Sequence, residues 1–279
     1  MKYLEESMPN LELKDHVAII TGAGRMRGIG RASANVLAKM GANIVVTGTG
    51  RNPKTYPKDE QNAGWQDIES TAKEIQTSGH SALPIVVDVT NPDSVNNMIN
   101  KTLEAFGRID ILVNNAAAPY GPDRVPVLEL DDKVFQKTLI VKVFGTYLCA
   151  KAAATQMVEQ GNGGRIINLS SSAGKRGDAN MAAYNAANFA VDGFTQAMAK
   201  ELAKENITVN AVCPGLTETA RMDPMGRGEK WLNRVAEIPM GRVAKDEEIA
   251  NLIGFLSSPR ASYITGQAIN INGGYLTAR

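Results

Sequence analysis

Short runs rich in Val and Ile, apolar on both faces, recur at residues 17–21, 43–47, 82–87, 109–113, 165–169, 208–212 and 268–271. Continuous apolar character of this kind, rather than alternation, marks a parallel strand covered on both sides. Longer stretches of helical periodicity separate the runs, at 30–40, 66–78, 93–106, 132–159, 183–205 and 246–256. Strand–helix alternation repeated this often predicts an α/β chain: a mostly parallel seven-stranded sheet with helices on both faces. No shift in composition marks a boundary, so residues 1–279 are expected to form a single domain.

Two segments break the rhythm. Residues 48–64 are rich in Gly, Asn, Pro and Lys and read as a long loop. Residues 214–240 carry Pro214, Gly215, Pro224, Gly226, Gly228 and Pro239, with Met222, Met225 and Trp231 between them. A short helix is expected at 229–236. The second segment follows a strand end, where α/β sheets bind ligands, so residues 216–240 are read as a substrate lid rather than a plain surface excursion.

Composition narrows the chemistry. The 30 basic and 29 acidic residues leave a net charge of +1, which argues against a nucleic-acid partner that needs a basic face. Two cysteines, Cys149 and Cys213, and two histidines, His16 and His80, make a disulfide scaffold or a metal centre improbable, so no metal is expected. No apolar run reaches the roughly 18 residues of a membrane span. The first residues lack an apolar signal core, and a cytoplasmic setting is the default expectation.

The chemistry-bearing features start at the first strand's end. Residues 21–30 read Thr-Gly-Ala-Gly-Arg-Met-Arg-Gly-Ile-Gly and lead into a helix. Glycines let backbone turn tightly against a ligand, and a helix N-terminus offers free N–H groups to a phosphate. The common Gly-x-Gly-x-x-Gly spacing is not matched cleanly.

From Thr21-Gly22 through Gly28 and Gly30, the chain resembles the short-chain dehydrogenase/reductase family, though its turn is two residues longer. Further motifs follow in the family's order. Asp88-Val89 ends strand three and Asn114-Asn115-Ala116-Ala117 ends strand four. Asn168-Leu-Ser-Ser171 ends strand five, and Tyr184 follows Ser171 at the family's interval. Pro214-Gly215 with Thr219 resembles the nicotinamide-binding turn, and Ile264-Thr-Gly-Gln with Asn272-Gly-Gly resembles the C-terminal signature. The resemblance covers roughly residues 11–275. It implies one doubly wound Rossmann-type domain, a homotetramer, and a nicotinamide cofactor held by Gly22, Gly28, Ile29, Gly30, Thr49, Asp88, Val89, Asn115, Ala116, Pro214, Gly215, Thr217 and Thr219.

An acidic residue about twenty positions after the glycines would hold a ribose 2′-OH and repel a 2′-phosphate. Here strand two ends in Gly48, Thr49, Gly50 and Arg51, with no carboxylate until Asp59. Arg51, with Arg25 or Arg27 from the longer turn, is expected to pair with a 2′-phosphate, which favours NADP(H) over NAD(H).

Carbonyl reduction needs a hydride and a proton. A tyrosine gives the proton when a nearby cation stabilises its conjugate base. The family supplies that cation from a Lys four residues after the Tyr, with a Ser on the substrate oxygen and an Asn in the preceding long helix. Ser171 and Tyr184 are in place, but the other two types are exchanged: Asn188 stands at the Lys position and Lys142 at the Asn position. In one reading Lys142 restores the cation and Asn188 hydrogen-bonds the nicotinamide ribose or a relay water. The chain is then an NADP(H)-dependent enzyme interconverting an alcohol and a ketone or aldehyde. In a second, the site is impaired and the chain is a dinucleotide-binding regulatory or scaffold protein. In a third, the altered acid site serves an imine or activated alkene. The substrate is expected over Ser171 and Tyr184, walled by Pro119 and Tyr120, with Met222, Met225 and Trp231 as a partly apolar cover. Arg221 and Arg227 are read as solvated charges, with a carboxylate contact as the alternative.

Overall fold

A computed structural model describes residues 11–277. The strands are β1 Val17–Ile20, β2 Asn43–Gly48, β3 Ala82–Val86, β4 Ile111–Asn114, β5 Gly164–Leu169, β6 Ile207–Pro214, β7 Thr217–Glu218, β8 Ala244–Lys245 and β9 Ala268–Ile271. The helices are α1 Ile29–Lys39, α2 Lys58–Asn62, α3 Asp67–Thr77, α4 Pro92–Phe106, α5 Asp132–Leu139, α6 Gly145–Gln160, α7 Ala182–Leu202, α8 Glu229–Ala236 and α9 Asp246–Ser257.

Seven strands form one sheet in the order β3-β2-β1-β4-β5-β6-β9, and every pairing in it is parallel. The two-residue period of β1 explains why its run is apolar throughout. Ala18 and Ile20 join the core beneath α1, α3 and α9, where Leu37, Ile75 and Ile253 are fully buried. Val17 and Ile19 join the opposite core beneath α4, α6 and α7, with Met98, Ala153 and Ala199. Each strand residue thus has a helix layer to face. The strand order reverses between β1 and β4, and a doubly wound sheet opens its ligand cleft at the carboxyl ends there.

Three features depart from the sequence expectations. The helix expected over 132–159 is broken by a π turn at Ile140–Phe144, between α5 and α6. A π turn inserts one extra residue per turn without requiring Gly or Pro, so periodicity does not reveal it. Residues 48–64 are not a plain loop but carry a 3₁₀ turn at Pro53–Thr55 and the short helix α2. Five polar residues, KDEQN, hold too few positions to display a period. Within 214–240, α8 forms as expected, and β7 pairs in parallel with β8 outside the main sheet. Among the described residues, no helix is long and apolar enough to cross a membrane, and no cluster of His, Cys, Asp and Glu could hold a metal ion.

Candidate active site

The cleft at the β1/β4 switch has two ends. At one end the Thr21 hydroxyl accepts the backbone N–H groups of Asn115 and Ala116, each at 3.0 Å. The Asn115 side-chain amide donates to the carbonyls of Thr21 and Gly22 at 2.9 Å. Gly30 permits this approach, since a Cβ there would lie 2.6 Å from Asn115 Nδ2. Gly28 is the N-cap of α1 and supplies no side-chain cap, and the first turn holds no acidic residue. A Cβ on Gly28 would meet only Arg25 Cβ, at 3.7 Å, so a side chain would fill space that the glycine keeps clear over the helix end. The open space over Gly28 and a first turn without an acidic residue fit the phosphates of a dinucleotide, although the Gly28 N–H itself meets the Asp246 carboxylate at the start of α9.

The two extra residues of the glycine turn are held by the excursion after β2. Glu60 accepts the Met26 N–H at 2.9 Å, and the Trp65 indole donates to the Gly24 carbonyl at 2.7 Å. The Arg51 guanidinium lies between Glu60, which is fully buried, and Asp67, with contacts of 2.9 Å to each, and also donates to Gly24 O at 3.1 Å. Arg27 bridges Asp59 at 2.7 Å and Asp223 of the lid at 2.6 Å. The sequence expectation had Arg51 and Arg27 free for a ligand phosphate, but in the structure both are committed to carboxylates. The carboxylates come from segments 59–67 and 223, which the glycine motif does not announce. Arg25 is in no ion pair among the described residues. Burial, reinforced by the neighbouring Arg51 charge, holds its guanidinium below the ordinary value.

Thr49 is exposed just beyond β2. The Asp88 carboxylate accepts the N–H and the hydroxyl of Thr90, at 2.9 and 2.7 Å, ahead of α4. Val89 is buried, and a Cβ on Gly145 at the start of α6 would sit 2.7 Å from it.

At the other end of the cleft a cavity of about 350 Å³ brings together Ser171, Tyr184 and Lys142. Ile29, Asn115, Pro214, Gly215, Thr217 and Thr219 border the same space. The Ser171 oxygen accepts the Ala173 N–H at 3.2 Å, which leaves its proton to donate to a ligand. Tyr184, in the first turn of α7, has no hydrogen-bond partner for its hydroxyl among the described residues. Lys142 sits mid-way through the π turn and donates from Nζ to the Leu169 carbonyl at the end of β5. Burial, aided by Arg221, pushes its ammonium down to about 7. Asn188 does not line the cavity: it is fully buried, its amide nitrogen donates to the Tyr184 carbonyl at 2.8 Å, and its Oδ1 has no partner. In this position it braces the turn carrying Tyr184 and stands behind the cavity wall rather than on it.

The cations that stand against the Tyr184 ring are arginines. Arg124 lies 4.1 Å from the ring centroid and Arg221 5.3 Å. Arg124 escaped the sequence reading because it sits in an irregular stretch after β4 with no motif around it. Met222, Met225 and Tyr120 line the cavity as expected, whereas Trp231 and Pro119 do not. Trp231 is buried under Arg227, whose guanidinium lies 4.0 Å from its ring.

This geometry has known counterparts. The family model described as enoyl-(acyl carrier protein) reductase matches residues 22–276. The chain belongs to the short-chain dehydrogenase/reductase family. It is an oxidoreductase whose cofactor is a nicotinamide dinucleotide. Among curated proteins, it is 40% identical over 267 residues to the short chain dehydrogenase/reductase astE of Aspergillus oryzae, covering 94% of this chain and 95% of that one. It is 38% identical to a 3-oxoacyl-[acyl-carrier-protein] reductase of Synechocystis, covering 94% and 97%. Among solved structures, a protein assigned as a short-chain alcohol dehydrogenase from Sinorhizobium meliloti superposes with a TM-score of 0.84 at 32% identity, covering 97% of this chain and all of that one.

Proposed function

We propose that this chain interconverts an alcohol and a ketone or aldehyde, with Tyr184 as proton donor, Ser171 on the substrate oxygen and NADP(H) as the preferred cofactor. The observation that carries the reading is the shared cavity: Ser171 and Tyr184 face one space that the Pro214–Gly215 turn and Asn115 also border. When bound, the nicotinamide supplies or accepts the hydride. Ser171, its oxygen already accepting the Ala173 N–H, keeps its proton and donates a hydrogen bond to the carbonyl oxygen. The Tyr184 hydroxyl, which has no competing partner among the described residues, gives its proton to the same oxygen. Arg124 and Arg221, which stand against the Tyr184 ring, together with Lys142 in its protonated form on the same cavity wall, are the cations that stabilise the phenolate left behind.

The cofactor preference rests on Arg25, the one arginine of the three that has no carboxylate partner among the described residues. The Asp88 carboxylate engages Thr90. Exposed Phe144, Tyr147 and Phe189, before and on α6 and on α7, support the family's homotetramer, which light scattering on the eluted protein checks.

The test is loss of NADPH absorbance against a panel of ketones and aldehydes, for wild type and for Lys142→Asn, Asn188→Lys and the double exchange. Each single change should lower the rate and the double should recover part of it; purely additive losses would remove the compensation between the two positions. NADPH binding without turnover of any compound would instead favour the regulatory reading.

A further inference from the structure

The charges lining the catalytic cavity are nearly all of one sign. Arg124, Lys142, Arg221, Lys230 and Arg234 share its wall with a single carboxylate, Asp178. That carboxylate already accepts two bonds from Arg176, at 2.8 and 3.1 Å. Arg124 is fixed by Asp123 at 2.6 Å and by the ring of Tyr120. Arg221 is different. It is half-buried, is in no ion pair among the described residues, and hydrogen-bonds only the Ala118 carbonyl, at 2.9 Å. A guanidinium presents five donors in a planar fork that matches a carboxylate edge-on. Its charge is felt by Arg124, Arg25 and Lys142, each of which it makes harder to protonate. Like charges gathered at one place repel, and a cleft lined by one sign of charge concentrates the opposite ion.

We propose that the compound turned over is itself an anion: a small hydroxy acid or oxo acid whose carboxylate is clamped by Arg221, beside Arg124, while its reacting oxygen meets Ser171 and Tyr184. The proposal rests on the oxidoreductase reading above. One observation points to the substrate rather than the cofactor as the anion, and a second bounds its size. Arg221 stands against Tyr184, at the reacting end, whereas the helix end that suits phosphates lies at Gly28. The cavity of about 350 Å³ must also admit the nicotinamide, which leaves room for a compound of few heavy atoms. A phosphate ester offers similar oxygens, and the test separates the two.

Rates are measured with NADPH and NADH on matched pairs: acetoacetate and methyl acetoacetate, levulinate and methyl levulinate, dihydroxyacetone phosphate and dihydroxyacetone. The carboxylates should exceed their esters in kcat/KM by about 30- to 100-fold, the worth of a charge-assisted hydrogen-bond pair. R221Q, with an unchanged melting temperature, should collapse that ratio toward one, while R227Q, in the same lid but outside the cavity, keeps it. Equal rates on acids and esters in wild type overturn the clamp and leave the oxidoreductase reading standing. So does an R221Q effect confined to the cofactor KM, which reassigns Arg221 to the cofactor phosphates. Preference for the phosphate pair alone overturns the carboxylate. If no compound turns over, the oxidoreductase reading falls. The clamp is then decided by calorimetric titration of acetoacetate into the cofactor complex: binding lost in R221Q supports it, and no binding in wild type overturns it.

Discussion

The arginines at the two ends of the cleft live in opposite surroundings. At the glycine turn, Arg51 and Arg27 each bridge two carboxylates, and the Glu60 partner is fully buried. Around Tyr184, among the described residues, Arg221 has no carboxylate partner and Arg124 has one. The first arrangement is closed. Its two guanidiniums are outnumbered by four carboxylates, Asp59, Glu60, Asp67 and Asp223, and these pairs fasten an enlarged turn to the excursion that follows β2, while Arg25 beside them is in no ion pair among the described residues. The second is open, and its charge is left for whatever enters. The difference teaches that an arginine near a ligand site is informative only once its partners are known: the residues that looked like ligand contacts by spacing are braces, and one that looked solvated faces the reacting ring.

The comparison can be broken or sharpened by experiment. The largest expected effect is Tyr184→Phe, which should lower kcat about a thousandfold, as loss of a general acid does, without changing cofactor affinity measured by fluorescence quenching. A comparable loss of affinity would mean that the two ends are not separable. Next, Arg51→Met should cost about 3 kcal/mol in urea unfolding, because Glu60 then keeps a buried carboxylate with only the Met26 N–H as partner. Arg221→Met should lie within about 0.5 kcal/mol of wild type, since it breaks no ion pair. Equal losses at both positions would erase the contrast.

Lys142 gives a pH signature. Its folded value, about 7, lies below the unfolded 10.5, so the unfolded chain binds the proton more readily between them. Its contribution is greatest above the unfolded value and is lost as pH falls toward about 7, after which it is flat. Stability of wild type relative to Lys142→Met should therefore decline between pH 9 and 7; a pH-independent difference would show that the lysine is already charged throughout that window. The last test is at Arg25. Arg25→Ala should reduce the NADPH-to-NADH affinity ratio about tenfold, one charge-assisted contact in a half-exposed setting. An unchanged ratio would leave the glycine turn with no role in the choice of cofactor.

Much of the fold is legible from residue order because buried parallel strands carry their signal locally. Each of the seven apolar runs became a strand of the main sheet, and the short helix expected at 229–236 formed at those residues. The break at Ile140–Phe144 was not legible, since a π turn alters only which face a residue occupies, and Lys142 lies within it. For the site, the joint spacing of Ser171 and Tyr184 named two residues that share the cavity, and Pro214–Gly215 named a third wall. Arg124 could not be named, because it reaches Tyr184 from sixty residues away through irregular backbone whose path no periodicity encodes.

The chain by itself determined the sheet, the family and the Ser–Tyr pair, all consequences of local pattern: which residues are apolar, where glycines permit a turn, and how far apart two hydroxyls stand. Tertiary structure alone decided which charges are paired. Whether Arg51, Arg27, Arg25 or Arg221 meets a carboxylate depends on Asp59, Glu60, Asp67 and Asp223 being folded back onto the glycine turn. Electrostatic partnership is set by distance and burial, and those emerge only when segments remote in sequence pack together.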